Sequence, residues 1–262
     1  MRLDLARVET LIREVAASEI IPRFRRLAAE DIREKQPGQI VTAADIEAER
    51  RLIERLPHMV PGSVVVGEEG VAADPALLDA LWGTAPVWLV DPVDGTQNFS
   101  EGSPVFATMV ALVRHRQTAA AWIYDPVNDR MAQAEHGAGA YVDGARLNLA
   151  PPPPIAEMTG RLGRATARKL TDRIRGAVNL RCAGHEYLRL AASEIHFALY
   201  RRLFPWDHAA GELILREAGG HAAYLDGEPY RAGDINASLL LAPDRSSWQG
   251  LRDLIEELAP GG

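Results

Sequence analysis

Two aspartates three residues apart, Asp91 and Asp94, end an apolar run and precede Gly95 and Thr96 in the stretch WLVDPVDGTQNF. The apolar run predicts a buried strand. Two carboxylates close together repel each other unless a cation lies between them. A glycine lets the backbone approach a ligand, and a threonine adds a hydroxyl. This is the composition of a metal and phosphate site. The alternative is a surface turn, because Asp, Gly and Pro are ordinary turn residues.

A second pair of acids, Glu68 and Glu69, ends the run SVVVG in the same way. Its three valines predict another short buried strand. If the two strands are neighbours, the acids at their ends converge on one point. We expect a helix from Pro75 to Trp82 to bridge them.

A third acid, Asp207, lies in PWDHAAGELILREAGG, which predicts a helix from Trp206 to Ala218 that Gly219-Gly220 ends. An aspartate at a helix N-terminus is commonly only a cap, and that role alone explains Asp207. The small residues at 209–211 permit close packing. We interpret His208 as a helix residue whose hydrogen-bonding groups are satisfied, and not as a metal ligand.

The segments before these acids are predicted to be helical. Residues 3–34 have the apolar spacing of a helix that Pro22 kinks or divides. After the breaker Gln36-Pro37-Gly38, a second helix has Thr42 as N-cap and Asp45 in the capping-box position, so any functional role of Asp45 competes with a structural one. We expect its buried stripe to consist of Ile46, Leu52, Ile53 and Leu56.

From Pro104 onward, strand-like segments separated by turn signals predict an antiparallel meander. The run Pro151–Pro154 cannot lie within a helix or a central strand, so it predicts a connector. We therefore expect an N-terminal subdomain at 1–150 that carries the metal site and a C-terminal subdomain at 151–262, together forming one catalytic unit. The second half returns to alternating strands and helices, with strands in HAAYL and ASLLLA and a last helix from Arg245 to Leu258.

Composition narrows the class of protein. The chain of 262 residues has 47% hydrophobic and 25% charged residues, as soluble globular proteins do. Its formal net charge of -7 argues against nucleic acid or an anionic membrane as the main partner. Cys182 is the only cysteine, which excludes an internal disulfide and a cysteine-based zinc cage. No apolar stretch approaches the length of a membrane span, so a cytoplasmic location is expected.

Taken in order, VTAAD, GEE, DPVDGTQNF and WDHAAGELILREAGG resemble the motifs of the inositol monophosphatase family of magnesium-dependent, lithium-sensitive phosphatases. The match covers nearly the whole chain in length and motif order. The resemblance implies an α/β (α+β layered) fold of the inositol monophosphatase/fructose-1,6-bisphosphatase type. It has an antiparallel N-terminal sheet and a mixed C-terminal sheet. It also implies a homodimer.

The resemblance also implies a set of oxygen ligands for two or three Mg²⁺ ions. One ion would be held by Glu68, Asp91 and the main-chain carbonyl of Val93, and a second by Asp91, Asp94 and Asp207, with Glu68 near a weaker third. Mg²⁺ is a hard cation that prefers such ligands to His or Cys. Two ions about 3.5 to 4 Å apart can hold a phosphate, activate a water and stabilise the departing alkoxide.

The catalytic residues implied by the resemblance are Glu68, Thr96 and Asp45. Asp45 and Thr96 would position water behind the metals, and the amides of Gly95 and Thr96 would receive the phosphate. Our hypothesis is that a water oriented by Glu68 and Thr96 attacks phosphorus directly, without a phosphoenzyme.

The positions that would select the substrate depart from the family pattern. Tyr200 stands where inositol phosphatases have an acid, and His185 and Glu186 replace small residues after Gly184. Arg201, with the adjacent Arg202, could face a second phosphate or carboxylate. A site built to hydrogen-bond particular hydroxyls discriminates strongly, so these changes count against inositol phosphate.

Two classes of function follow from the sequence. The first is a magnesium-dependent phosphomonoesterase for a small phosphorylated metabolite. Its substrate is inositol monophosphate-like, or fructose-1,6-bisphosphate, a 3'-phosphoadenosine nucleotide or histidinol phosphate. The second is a non-catalytic module that binds metal and phosphate.

Overall fold

The computed structural model of the protein describes residues 3–36 and 38–258, which form alternating layers of helices and sheets. The first part contains three α-helices, a hairpin and a pair of parallel strands. Its elements are α1 (Leu5–Val15), β1 (Ile32–Gln36), β2 (Gln39–Thr42), α2 (Ala43–Arg55), β3 (Val64–Gly67), α3 (Glu68–Ala73) and β4 (Val87–Asp94). Short 3-10 helices cover Ile21–Arg23, Ala29–Asp31, Leu56–His58 and Pro75–Trp82, and a π-helix covers Ala16–Ile20.

The rest of the chain adds a meander and a second sheet. Its elements are α4 (Thr96–Ser100), β5 (Ala107–Arg114), β6 (Gln117–Asp125), β7 (Arg130–Glu135), β8 (Gly139–Val142), β9 (Ala145–Arg146), β10 (Thr159–Arg161), α5 (Arg164–Lys169), β11 (Gly176–Val178), α6 (Ala183–Ala191), β12 (Phe197–Tyr200), α7 (Pro205–Glu217), β13 (His221–Tyr224), β14 (Leu239–Ala242) and α8 (Arg245–Glu256). A further 3-10 helix covers Ile155–Glu157.

The prediction of one helical segment over residues 3–34 is wrong at its end. The regular helix α1 stops at Val15, and β1 begins at Ile32 and pairs antiparallel with β2. Pro22 lies in the 3-10 helix that follows α1 and the π-helix, as expected for a residue without an N–H. Gly38 adopts a positive φ of 79° at the hairpin turn. The predicted breaker residue Pro37 lies outside the described residues.

Helix α2 begins as predicted, because Thr42 and Asp45 form a capping box. Its predicted buried stripe is half wrong. Leu52 and Leu56 are fully buried, whereas Ile46 and Ile53 are exposed. The face of α2 that packs on the protein instead carries small and acidic residues: Ala44, Asp45, Ala48 and Glu49.

The larger sheet has seven strands in the order β3-β4-β5-β6-β7-β8-β9. Strands β4 to β9 pair antiparallel, which confirms the meander, and β3 adds one parallel pair against β4. Side chains on β4 alternate between two cores. Trp88 and Val90 join a cluster with α1 and α2, whereas Val87 and Leu89 join a cluster with α6 and α7. Helices therefore cover both faces of this sheet.

The smaller sheet has five strands in the order β11-β10-β12-β14-β13, with parallel and antiparallel pairs. The layered α/β fold with a mixed C-terminal sheet is thus confirmed. β10 and α5 were not predicted, because only three and six residues form them. Helix α7 packs between the sheets, where Leu213 shares a core with Met109 and Leu241. That core contains residues from both predicted subdomains. The division of the chain into 1–150 and 151–262 stays a prediction.

Candidate functional site

Three acids from separate elements meet in the structure. Glu68, Asp91 and Asp207 each offer a carboxylate oxygen, and these three oxygens all lie within 4.8 Å of one another. Glu68 is the first residue of α3, directly after β3, and Gly67 at the end of β3 pairs with Val90 of β4. Parallel pairing therefore sets Glu68 beside Asp91. Asp207, in the first turn of α7, completes the group.

A bulge in β4 turns the second aspartate toward the same side as the first. Asp91 pairs with Met109 and Asp94 with Ala107, so β4 has one extra residue over this step. In a regular strand, residues three apart face opposite sides. The extra residue reverses that alternation, and Val93 packs in the same core as Trp88. Asp91 and Asp94 consequently line one cleft.

The cleft is open, occupies about 700 Å³, and is lined by six of the residues predicted to bind metal or phosphate or to act in catalysis. Its lining includes Glu68, Asp91, Asp94, Gly95, Thr96 and Asp207. Arg181 and Gln39 contribute polar groups, and Phe204 and Trp206 contribute aromatic rings.

The acids carry unfavourable electrostatics that a cation would relieve. Burial, followed by the charges of Glu68, Asp94 and Asp207, raises the pKa of Asp91 well above its usual range. Burial and the charge of Asp94 likewise raise the pKa of Asp207. Oδ1 of Asp91 is buried and has no hydrogen-bond partner among the described residues. A buried unpaired carboxylate oxygen beside two other acids fits a divalent cation.

Asp94 lines the cleft but is not part of the three-acid cluster. Its Oδ2 lies 3.0 Å from Sγ of Cys182 and accepts the amide of Gly184 at 2.5 Å. Burial raises the pKa of Asp94 to about 6, while the bonds from Cys182 and Gly184 oppose that rise. The carboxylate is thus held by the segment that leads into α6.

The Thr96 hydroxyl links two other predicted residues. Its Oγ1 lies 3.1 Å from Oδ1 of Asp45 and 3.0 Å from the carbonyl oxygen of Val93. The other oxygen of Asp45 accepts the Thr42 amide at 2.8 Å and the Thr42 hydroxyl at 2.5 Å. Burial raises the pKa of Asp45 to about 7. Asp45 therefore caps the N-terminus of α2 and also contacts the site through the Thr96 hydroxyl.

Gly95 makes the turn from β4 into α4. Its φ of 88° is a left-handed conformation, and a Cβ there would lie 2.9 Å from the carbonyl oxygen of Val105. Both features require glycine.

Two charged residues beside the acids were not predicted as part of the site. Nζ of Lys35 lies 2.8 Å from Glu68 and 2.8 Å from Glu69, so it neutralises part of their charge. Glu49 of α2 accepts the amides of Glu69 and Gly70 at 2.9 and 2.7 Å and thereby caps α3. No sequence spacing signalled either contact, because the partners are distant along the chain.

Four of the predicted specificity residues do not line the cleft. Glu186 is buried and accepts hydrogen bonds from Tyr200 at 2.9 Å and from Arg161 at 3.1 Å. These groups satisfy one another, so they offer no surface to a substrate. Nε2 of His185 lies 3.0 Å from the carbonyl oxygen of Phe106. Arg201 is exposed and does not line this cleft. The fifth, Gly184, touches the site through Asp94.

No helix of residues 3–36 and 38–258 has both the length and the apolar character needed to cross a membrane.

Comparison with known proteins finds relatives that match nearly the whole chain. The family model described as "Inositol monophosphatase family" matches residues 4–258. The inositol-1-monophosphatase of Rhizobium meliloti is 33% identical over 217 residues, which cover 77% of this chain and 79% of the relative. The Nus factor SuhB of Vibrio cholerae is 30% identical over 254 residues, which cover 89% and 88%. A solved structure of the Thermotoga maritima IMPase, 24% identical, superposes with a TM-score of 0.81 and covers 97% of this chain and 98% of that one.

Proposed function

The chain belongs to the inositol monophosphatase family, and from that membership we propose that it is a magnesium-dependent phosphomonoesterase acting on a small phosphorylated metabolite. One observation carries the proposal: Oδ1 of Asp91 is buried without a partner, in a cluster with Glu68 and Asp207. A protein that used these acids only for structure would have paired that oxygen.

The donor set fits Mg²⁺ better than a softer metal, since it consists of carboxylates and a carbonyl. Two or three ions would be held by Glu68, Asp91, the carbonyl of Val93, Asp94 and Asp207. When bound, the ions supply charge for the phosphate and lower the pKa of the attacking water. The carboxylates of this chain fix where that charge lies.

The remaining residues would position water and phosphate. Thr96 can donate its single hydroxyl proton to Asp45 or to the Val93 carbonyl, which leaves its oxygen free to accept from a water. Glu68 would orient the same water. The amides of Gly95 and Thr96 would receive the phosphate. We propose that the water attacks phosphorus directly, which turnover in heavy-oxygen water tests: the label appears in the released phosphate, and trapping of a phosphorylated protein would contradict the step.

The alternative substrates are fructose-1,6-bisphosphate, a 3'-phosphoadenosine nucleotide and histidinol phosphate. A second candidate function is a non-catalytic module that binds metal and phosphate, which the relative named as a Nus factor favours. The complete acid set together with the Thr96 hydroxyl supports the enzyme, because a binder needs no group that orients water. A homodimer and a cytoplasmic location remain part of the proposal.

The deciding experiment compares Asp91→Asn with Asp172→Asn, an exposed aspartate outside the cleft. We expect release of phosphate from an aryl phosphate to require Mg²⁺ and to be abolished by the first change only. Loss of a group behind a metal ligand typically costs about 10- to 100-fold, so loss of the ligand costs more. Thermal stabilisation by Mg²⁺ in the absence of substrate should vanish in the same variant. Wild-type protein that binds Mg²⁺ but hydrolyses no phosphate ester of a broad panel would support the binding module instead.

A further inference from the structure

A second cavity adjoins the acidic cleft. It occupies about 610 Å³ and shares Gln39, Glu68, Phe204 and Trp206 with the cleft. A substrate whose phosphate lies among the acids would therefore extend its other end past Glu68 into this cavity. Arg202 and Lys35 are the only cations among the described residues that line this cavity.

The two cations differ in whether they already have partners. Lys35 is occupied by Glu68 and Glu69 at 2.8 Å each. Arg202, by contrast, has no carboxylate within 4.0 Å among residues 3–36 and 38–258, and it forms no side-chain hydrogen bond with them. A cation free of acids in the wall of a substrate cavity is available to an anionic group of the ligand.

The guanidinium of the exposed Arg202 lies over an aromatic ring. Its central carbon lies 4.3 Å from the centroid of the Phe204 ring. The Phe204 ring in turn stacks on Trp206 at 5.2 Å, with 7° between the planes. A guanidinium stacked on a ring keeps its N–H groups in its own plane, where they remain free to donate.

The main chain of the same loop is fixed as well. The carbonyl oxygen of Arg202 lies 3.1 Å from Nε2 of His208, and the amide of Leu203 donates to the carbonyl of Ile235 at 3.0 Å. These two hydrogen bonds fix the backbone from which the Arg202 side chain extends.

We infer that Arg202 binds a second anionic group, a phosphate or a carboxylate, on the part of the substrate that leaves. This inference rests on the proposed phosphatase function and narrows its substrate class. Inositol monophosphate offers Arg202 only hydroxyls, and histidinol phosphate offers a cation. Bisphosphates and phosphorylated carboxylic acids offer the second negative group that would pair with Arg202.

The test uses substrate pairs that differ only in the second anion. Fructose 1-phosphate and fructose 1,6-bisphosphate form the phosphate arm, and glycerol 3-phosphate and 3-phosphoglycerate form the carboxylate arm. We expect kcat/KM of the wild-type protein with Mg²⁺ to favour the doubly charged member of at least one pair by about tenfold or more. The arm that responds identifies the anion.

Two variants assign the preference to one residue. Arg202→Gln should remove the advantage of the doubly charged substrate, mainly through KM. Arg201→Gln removes the same charge one residue away, outside the cavity, and should preserve the advantage. If both variants lower it equally, the effect is long-range electrostatics and the inference is wrong.

The aryl phosphate separates failure of the inference from failure of the proposed function. No magnesium-dependent turnover of any substrate, the aryl phosphate included, would overturn both. Turnover of the aryl phosphate without discrimination in either pair would overturn the role of Arg202 and leave the phosphatase standing.

Discussion

The thiol of Cys182 lies 3.0 Å from Oδ2 of Asp94, and the thiol is buried. The S–H has this carboxylate as its acceptor, so burial and the charge of Asp94 raise the pKa of Cys182 well above its usual range. The lone cysteine of the chain is therefore a neutral donor that orients one of the proposed metal ligands.

Replacement of Cys182 should change metal affinity according to the donor that remains. Cys182→Ser keeps a hydroxyl for Asp94, whereas Cys182→Ala leaves Oδ2 with main-chain donors only. We expect the Mg²⁺ concentration for half-maximal activity to rise about tenfold in the alanine variant and little in the serine variant. A magnesium titration of aryl phosphate hydrolysis measures both. Equal effects of the two changes would contradict the role of the donor.

The raised pKa of the buried Glu49 predicts that the stability of the protein depends on pH. Burial raises the pKa of Glu49 to about 7, against 4.5 in the unfolded chain, despite the two amides that it accepts. Below pH 4.5 it is protonated in both states. As the pH rises toward 7, the unfolded chain loses this proton first, so the folded protein loses up to about 3 kcal/mol of its free energy of unfolding. The Glu49→Gln variant should lose less of its free energy of unfolding over this pH range.

Urea unfolding at pH 5 and pH 7.5 checks this expectation. The difference between Glu49→Gln and wild type should become more favourable to the variant at the higher pH. Glu54→Gln, an exposed glutamate of the same helix, provides the control and should show a constant difference. A constant difference for Glu49→Gln as well would refute the assignment.

Gly211 should not tolerate even one added carbon. A Cβ at this position would lie 2.1 Å from Cγ of Tyr187, because α7 and α6 pack closely there. We expect Gly211→Ala to lower the free energy of unfolding by about 1 to 3 kcal/mol or more. Gly163→Ala is the matched control, since its Cβ would meet no atom within 4 Å and its φ is −66°. Similar unfolding midpoints for the two variants would be inconsistent with this packing.

Tyr200 should matter for stability and not for substrate affinity. Its hydroxyl donates to buried Glu186, so Tyr200→Phe leaves an acceptor oxygen with one partner fewer. The expected cost is about 1 to 3 kcal/mol. KM for every substrate should stay close to that of wild type. Tyr141→Phe removes a long hydrogen bond of 3.4 Å at the surface and should cost little. A selective rise in KM for Tyr200→Phe would restore it as a specificity residue.

The sequence predicts the acids well because their signals are local. Asp91 and Asp94 end β4 after an apolar run, Glu68 follows the strand beside it, and Asp207 lies in the first turn of α7. The meander follows from the spacing of strand and turn signals, and the layered fold follows from the resemblance to the family. The adjacency of β3 and β4 then brings these ends together.

Other contacts could not be read from sequence because they join distant positions. Lys35 and Glu68 are 33 residues apart, and Tyr200 reaches Glu186 only through the packing of β12 on α6. Family spacing pointed to Glu186 and Tyr200 as substrate contacts, yet an acid and a tyrosine introduced together can satisfy each other. The bulge at Asp91 to Asp94 is also invisible to a strand pattern that assumes strict alternation.

That extra residue in β4 makes chain length, more than side-chain identity, the quantity that this segment must preserve. Deleting Val93 would restore strict alternation and leave the two aspartates two residues apart, still on one side of the strand, but it would remove the carbonyl that accepts the Thr96 hydroxyl. The side chain at position 93 can therefore change to another apolar one, whereas the backbone of this segment cannot be shortened without loss of that contact.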